Sequence, residues 1–303
     1  MNPSASGGLS LYDAARAMGV VFGKETVPRD GVVNAGGLDF HYLEWGDVSS
    51  PAVVLLHGFA QTCHSWDFIS LALSGEYRVI AIDQRGHGDS DWAPDGDYSP
   101  EKHQIDIAGI VEGLHLRDFV LMGLSMGGRN AFTFASNHPD NVKALVIVDA
   151  GPQNMQTGRT NIRNFVQQDD ELDSIDAFVE RVLKYNPRRD ATQVKGSIMH
   201  NLKQLDNGNW TWKYDKLLRA EGRPMAGEQD SVERLWEYLE KLSCPTLIVR
   251  GADSDIIAMD TAESMTRKIP YGRLATVEGA GHLVMGDNPS GFLNKVNEFL
   301  NSL

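Results

Sequence analysis

Short runs of almost purely apolar residues recur along the chain, and they constrain its fold more than any other feature. Runs of this length are typical of strands buried on both faces, which occur in parallel sheets covered by helices. Helical patterns separate several of them, and 31–46 is typical of a β-hairpin. The sequence therefore predicts an α/β protein with a mostly parallel, doubly wound sheet. The apolar runs are 52–56, 78–83, 119–123, 144–149, 246–251 and 273–279.

The alternation of strands and helices is interrupted once, between residues 152 and 243. Helical patterns such as DSIDAFVERVLKY and DSVERLWEYLEKL fill this stretch, with the irregular segment HNLKQLDNGNWTWKYD between them. We predict a helical cap here, inserted at the carboxyl edge of the sheet, and a core formed by 30–151 and 244–303. Residues 1–29 are an N-terminal extension with one short amphipathic helix, which we expect to pack on the main domain.

Composition narrows the functional classes. The 28 Lys and Arg residues against 41 Asp and Glu residues give a net charge of −13, which disfavours binding to nucleic acid or to an anionic membrane. The sequence has no apolar run long enough to span a bilayer and no signal-peptide pattern. We therefore expect a cytoplasmic monomer or homodimer. Cys63 and Cys244 are too few for a disulfide scaffold, and neither a nucleotide loop nor a metal-ligand motif is present, so no cofactor or metal is predicted.

The strongest chemical signal is GLSMGG at 123–128, which follows an apolar strand and precedes a helix. G-x-S-x-G in that context is typical of a nucleophile elbow, a tight turn that projects the serine hydroxyl. The following helix also points its positive end at the site. We predict Ser125 as the nucleophile and the Met126 N–H as one donor to a developing oxyanion. Phe59, in the loop after the strand at 52–56, is the candidate for the second donor.

A serine hydroxyl needs a neighbouring base to take its proton. His282 lies in VEGAGHLVMGDNP, just past the last predicted strand, where glycines favour a loop that aims its side chain into a pocket. The acid that orients such a histidine is expected after the preceding strand, where TLIVRGADSDIIAMD offers Asp253 and Asp255. We favour Asp255 and keep Asp253 as the alternative. Asp149 also ends a strand and is interpreted as bracing the start of the insertion.

Together these motifs resemble the α/β-hydrolase superfamily, specifically its cap-bearing serine esterase-like branch. The resemblance implies that the insertion is a lid, and that Arg85 and His87 brace their loop. One departure concerns the acid: the commonest family position, three residues after the strand-end glycine, holds Ser254 here. Related sequences with a Ser-Asp pair use the next position, which supports Asp255. The similar segments are HGF at 57–59, DQRGHGDS at 83–90, GLSMGG at 123–128, RGADSD at 250–255 and GAGH at 279–282.

The expected function is hydrolysis of a small carboxylic ester or lactone through an acyl-enzyme. Trp66, Trp210 and Trp212 are the candidates for an apolar substrate-binding surface. Two alternatives remain open: a carbon–carbon bond hydrolase of aromatic degradation, for which Arg129 could bind an anionic substrate, and a hydrolase-fold ligand receptor. Epoxide hydrolases and haloalkane dehalogenases resemble the chain but use an aspartate nucleophile, and Ser125 argues against both.

Overall fold

The computed structural model describes residues 9–220 and 230–303. Strands and helices alternate along most of the chain, as the apolar runs predict. The strands are β1 (Arg29–Ala35), β2 (Leu38–Trp45), β3 (Ala52–Leu56), β4 (Arg78–Ile82), β5 (Phe119–Leu124), β6 (Val142–Val148), β7 (Glu171–Leu172), β8 (Leu202–Gln204), β9 (Trp210–Trp212), β10 (Thr246–Gly251) and β11 (Gly272–Val277).

One helix precedes the first strand, and the others lie between and after the strands. The helices are α1 (Leu11–Ala17), α2 (Asp67–Leu73), α3 (Pro100–Gly113), α4 (Met126–Asn137), α5 (Gln156–Val166), α6 (Ile175–Tyr185), α7 (Ala191–Ile198), α8 (Val232–Glu240), α9 (Met259–Lys268), α10 (Val284–Asp287) and α11 (Pro289–Leu300). Within the described residues, no helix is both long and apolar enough to cross a membrane.

The main sheet has eight strands in the order β1-β2-β4-β3-β5-β6-β10-β11. β1 and β2 form the predicted hairpin, and β2 runs antiparallel to β4. The remaining strands of the main sheet, β4, β3, β5, β6, β10 and β11, are parallel to one another. Successive side chains of β3 pack into different apolar clusters on the two faces of the sheet. Val53 and Leu55 belong to one cluster, and Val54 and Leu56 belong to the other. Both faces of the sheet are therefore buried, which explains the unbroken apolar runs and confirms the predicted fold class.

The order of the strands brings three loops together at one edge. Leu124 at the end of β5 pairs with Val148 at the end of β6, and Val148 pairs in turn with Val249 of β10. Because these strands are parallel, the loops that follow them leave the sheet side by side at its carboxyl edge. This edge is where ligands bind in open α/β sheets, and it carries the candidate site.

The inserted segment differs from the prediction in two ways. A three-stranded antiparallel sheet, in the order β7-β9-β8, forms where the sequence suggested helices and an irregular segment. Helix α8 falls inside the predicted cap range, but its Leu235 and Leu239 are buried with Phe134 and Ile147 in a cluster of the main domain. Helix α8 therefore packs against the main domain, although it precedes the predicted boundary at residue 243.

The N-terminal extension contains one short helix, as predicted. It covers Leu11–Ala17, with the Ser10 hydroxyl accepting a hydrogen bond from the Asp13 N–H at its start. Ala15 and Val20 are buried in the core cluster beneath it, so the expected packing on the main domain is observed. Residues 1–8 of the predicted extension lie outside the described residues.

Candidate active site

Ser125 occupies the tight turn between β5 and α4. Its backbone has φ +52° and ψ −113°, a conformation that costs energy in a residue with a side chain. Two glycines make the turn possible: a Cβ on Gly123 would lie 2.2 Å from the Gly127 carbonyl oxygen, and one on Gly127 would lie 2.3 Å from that of Leu56. The side chain stays half-buried at the start of the helix, as the motif predicts.

His282 forms its close carboxylate contact with Asp149. The distance from His282 Nδ1 to Asp149 Oδ2 is 2.7 Å, and the Asp149 side chain is fully buried. Asp149 directly follows β6 and has φ +45°, a second strained residue at the same edge of the sheet. Burial raises the pKa of Asp149, while the hydrogen bonds from His282 and Ser254 oppose that rise. The arrangement gives a buried carboxylate that holds Nδ1–H of the imidazole.

The structure corrects the predicted acid. Asp255 does not reach His282: its Oδ2 accepts a hydrogen bond from Asn161 Nδ2 on the first helix of the insertion, 2.8 Å away. Asp253 is about half exposed and pairs with Arg188 at 3.4 Å. The carboxylate that contacts His282 is Asp149, after β6, which the sequence analysis interpreted as a bracing residue.

Ser254 explains how the site accommodates this change. It occupies the position where the resembling family most often has its acid, and its hydroxyl donates a hydrogen bond to Asp149 Oδ2 at 2.7 Å. The Ser254 oxygen in turn accepts the N–H groups of Ile256 and Ile257. The loop after β10 thus supplies a donor that holds the carboxylate arriving from β6.

The loop that carries His282 is fixed by backbone contacts. A Cβ on Gly251 would lie 2.1 Å from the Gly281 carbonyl oxygen, so the end of β10 packs directly against this loop. The Gly281 N–H donates to Asp287 Oδ2 at 2.9 Å, and the Asp253 N–H donates to the Ala280 carbonyl at 3.0 Å. These contacts hold His282 beside the carboxyl end of β6.

The loop with Phe59 is braced by two buried, neutral histidines. His57 donates from Nδ1 to the Gly58 carbonyl and accepts the Gln84 N–H at Nε2. His87 accepts the Ala60 N–H at Nε2, at 3.2 Å. Burial lowers the pKa of both rings, that of His87 to about 3, which preserves these acceptor nitrogens at neutral pH.

The two N–H groups predicted as oxyanion donors lie at the start of α4 and in the loop after β3. The Met126 N–H is at the first position of α4, where a helix offers no internal acceptor. Among the described hydrogen bonds, none uses the N–H of Phe59 or of Met126. The Phe59 ring packs on Tyr214 of the insertion, with ring centroids 6.1 Å apart, so the insertion contacts this loop directly.

The predicted substrate-binding tryptophans are placed differently from one another. Trp66 is fully buried in the main core against Phe292, so it does not line a binding surface. Trp212 packs edge-on against Phe178 within the insertion, with ring centroids 4.8 Å apart, and Trp210 is partly buried in the same cluster. The side chain of Trp66 therefore belongs to the hydrophobic core. Its burial shows this, whereas the sequence alone could not distinguish a core residue from a binding residue.

Two other sequence-based interpretations can be checked against contacts. Arg85 forms a buried two-point pair with Asp106, at 2.5 and 2.6 Å, in agreement with its bracing role. Arg129 donates from Nε to the Gly151 carbonyl at 3.0 Å, so this nitrogen supports the backbone after β6. Cys63 and Cys244 are both buried free thiols.

A buried group of His41, Cys63 and Asp83 has the donor types of a metal site. Its carboxylate is already occupied: Asp83 accepts from His41 Nδ1 at 2.8 Å and from the N–H groups of Cys63 and Asp89. Burial alone would raise the pKa of Asp83, but the His41 hydrogen bond and the other donors hold it at about 2. These contacts make the group a brace between β2, β4 and the following loops.

Replacing Ser254 with alanine tests its positioning role. Because one of the two hydrogen bonds to Asp149 Oδ2 is lost, we expect kcat of any reaction that uses His282 to fall about tenfold with KM unchanged. Ser254→Thr, which restores the hydroxyl, should recover most of kcat. Ser264→Ala removes a hydroxyl that donates to the Asp260 carbonyl and accepts from Arg267, both on α9 and away from the site, and it serves as the control. An unchanged kcat in Ser254→Ala would exclude the role.

Comparison with known proteins agrees with this fold. The sequence model of the alpha/beta hydrolase fold matches residues 51–289. The esterase Rv0045c of Mycobacterium tuberculosis is 33% identical over 277 residues, covering 89% of this chain and 88% of the relative. Its crystal structure superposes with a TM-score of 0.76 at 30% identity, covering 99% of this chain and 98% of that one.

Two further similarities extend the comparison. The crystal structure of E-2-(acetamidomethylene)succinate hydrolase gives a TM-score of 0.81 at 25% identity, covering 91% of this chain and all of that one. The sn-1-specific diacylglycerol lipase of Mus musculus is 29% identical over 276 residues, covering 87% of this chain and 85% of the relative. Together the relatives support a hydrolase in general, and the chain belongs to the α/β-hydrolase family.

Proposed function

We propose that the protein is a serine hydrolase that cleaves small carboxylic esters or lactones through an acyl-enzyme. The observation that carries the proposal is the 2.7 Å contact between His282 and the buried Asp149, at the same sheet edge as the strained Ser125. An orienting carboxylate behind a histidine, beside a serine in an elbow, is the arrangement of a nucleophilic triad. No metal or cofactor enters this proposal.

In the proposed reaction, Ser125 Oγ attacks the ester carbonyl carbon while His282 Nε2 takes the hydroxyl proton. The carbonyl oxygen becomes an oxyanion, which the N–H groups of Phe59 and Met126 stabilise. Collapse of this intermediate expels the alcohol, and His282 returns the proton to it. Water then attacks the acyl-enzyme with the same base, which releases the acid and restores Ser125.

Asp149 has a defined role in both halves of this cycle. Its contact with Nδ1 fixes the tautomer in which Nε2 carries the lone pair, which is the form that can take the serine proton. When His282 becomes an imidazolium, the buried carboxylate stabilises the positive charge. A fully buried acid suits this task because a low local dielectric strengthens the attraction between the two groups.

The esterase and lipase relatives support an ester as the substrate. The insertion supports a lid role, since Tyr214 contacts Phe59 and the Gly88 N–H donates to the Lys213 carbonyl at 2.7 Å. A lid that contacts the oxyanion loop can exclude water from the acyl-enzyme.

Turnover of p-nitrophenyl esters of graded acyl length tests the proposed activity. We expect many turnovers per chain, with an acyl-length optimum that reports the size of the acyl pocket. His282→Ala should abolish this turnover, while the control His115→Asn, an exposed residue with φ +54°, should retain it. A single slow burst, or no release at all, would contradict an esterase and would favour a carbon–carbon bond hydrolase or a ligand receptor.

A further inference from the structure

Two histidines and an aspartate lie close together where the insertion meets the main domain, apart from the proposed triad. His64 and His200 stack face to face, with ring centroids 3.7 Å apart and an angle of 21° between their planes. His64 Nδ1 lies 2.9 Å from Asp67 Oδ2. One possible ligand atom from each of the three residues lies within 4.8 Å of those from the other two.

The carboxylate in this cluster is incompletely satisfied. Asp67 Oδ1 is buried and has no hydrogen-bond partner among the described residues. A buried carboxylate oxygen without a donor is costly, and proteins rarely leave one unless an ion or water fills the gap. This oxygen can therefore accept one further contact, from a water or from an ion, on the carboxylate that already contacts His64.

The donor set indicates the kind of ion. Imidazole nitrogens with one carboxylate oxygen suit Zn²⁺ and neighbouring divalent transition metals rather than Mg²⁺ or Ca²⁺. With zinc–ligand bonds of about 2.0–2.1 Å, ligand atoms in a tetrahedral site lie about 3.3 Å apart. The possible ligand atoms lie within 4.8 Å of one another, so side-chain rotations that open the stack of the two rings bring them to that spacing. His200 is exposed, which leaves an access path and room for water as a fourth ligand.

We propose that His64, Asp67 and His200 form a binding site for a divalent transition metal, with Zn²⁺ as the best fit. His64 and Asp67 come from the turn and helix that follow the Phe59 loop, whereas His200 comes from the insertion. The neighbouring Thr62 hydroxyl already donates to Asn201 Oδ1 at 2.8 Å, so these segments are held together without the ion. A bound ion ties the insertion to the main domain at this point.

The position of the site gives the ion a structural effect. An ion that binds only the folded, closed arrangement stabilises it by mass action, so the melting temperature rises with metal concentration. The effect depends on His200, the only ligand of the three that the insertion supplies. The inference does not depend on the proposed ester hydrolysis, because binding and melting are measured without substrate.

Calorimetric titration of untagged, chelator-treated protein with ZnCl₂ tests the site, with thermal melting in parallel. We expect one ion per chain and a melting temperature that rises with added Zn²⁺. His200→Ala should weaken binding at least about 100-fold and remove the melting shift, because a three-ligand site loses one ligand. The change lies on an exposed turn, so the variant should fold. His115→Asn removes an exposed histidine elsewhere and should bind zinc like the unmodified protein.

Co²⁺ provides a spectroscopic check on the ligands. Four-coordinate Co²⁺ at this site should give visible absorption bands that are present in the unmodified protein and absent in both His200→Ala and His64→Ala. Failure to bind Zn²⁺ below roughly 100 µM, or equal binding by the unmodified protein and His200→Ala, would overturn the proposal. Binding that is lost in His282→Ala but kept in His200→Ala would place the ion at the triad instead and would also overturn it.

Discussion

Ser125→Ala is expected to lower kcat for ester hydrolysis about 10⁶-fold, the scale on which a triad loses its nucleophile. The reason is chemical: alanine keeps the strained backbone but has no oxygen to form the acyl-enzyme. The melting temperature should stay within a few degrees of the unmodified protein, because the half-buried hydroxyl forms no described hydrogen bond in the fold. The measurement is kcat with the best p-nitrophenyl ester.

Ser136→Ala is the matched control for that variant. Ser136 lies on the same helix, and its hydroxyl also has no partner among the described residues. We expect kcat to change less than about twofold, since no reacting group is touched. If Ser125→Ala retained a kcat within tenfold of the unmodified protein, Ser125 would not be the nucleophile.

Asp149→Asn is expected to lower kcat about 10⁴-fold while the fold persists. The amide matches the carboxylate in size, but it removes the negative charge and can present an N–H to His282 Nδ1. The imidazole then adopts the wrong tautomer, and the imidazolium loses its partner. The measurement is kcat at the optimum pH of the unmodified enzyme, with the melting temperature as a check on folding.

Asp255→Asn and Asp253→Asn are the controls that separate the two assignments of the acid. Asp255 contacts Asn161 and Asp253 contacts Arg188, so neither change reaches His282. Each should change kcat less than about twofold. A larger loss in Asp255→Asn than in Asp149→Asn would restore the sequence-based assignment and contradict the geometry.

Much of the main domain could be predicted because its signals are local. Two of the apolar runs, 52–56 and 246–251, match their strands residue for residue. The elbow around Ser125 was also visible, because its glycines are required by backbone contacts of about 2 Å that no side chain could occupy. Such features depend on a few neighbouring residues, and a sequence shows those directly.

The acid could not be chosen from sequence because the choice depends on how two loops meet. Asp149 and Asp255 both follow strands, and only the order of those strands and the fold of the loop after β10 decide which one faces His282. In the structure Ser254 fills the usual acid position and directs its hydroxyl to Asp149. The positive φ of Asp149 is a sign of its special role, but no residue type in the sequence reveals it.

The insertion was predicted less completely for a related reason. Its strands β7, β8 and β9 contain two or three residues each, too few to show a period. Helix α8 carries a clear amphipathic pattern, but a pattern does not say which apolar surface it meets. Trp66 has the same ambiguity, since an aromatic side chain suits a binding surface and a core equally well.

Reaction with a fluorophosphonate, followed by mass spectrometry of the intact protein and its peptides, tests the triad most directly. We predict one covalent adduct per chain, on the peptide that contains Ser125. Labelling should be slowed strongly by Asp149→Asn and His282→Ala and left unchanged by Asp255→Asn. Labelling of another residue, no labelling, or equal rates in the unmodified protein and Asp149→Asn would contradict a triad of Ser125, His282 and Asp149.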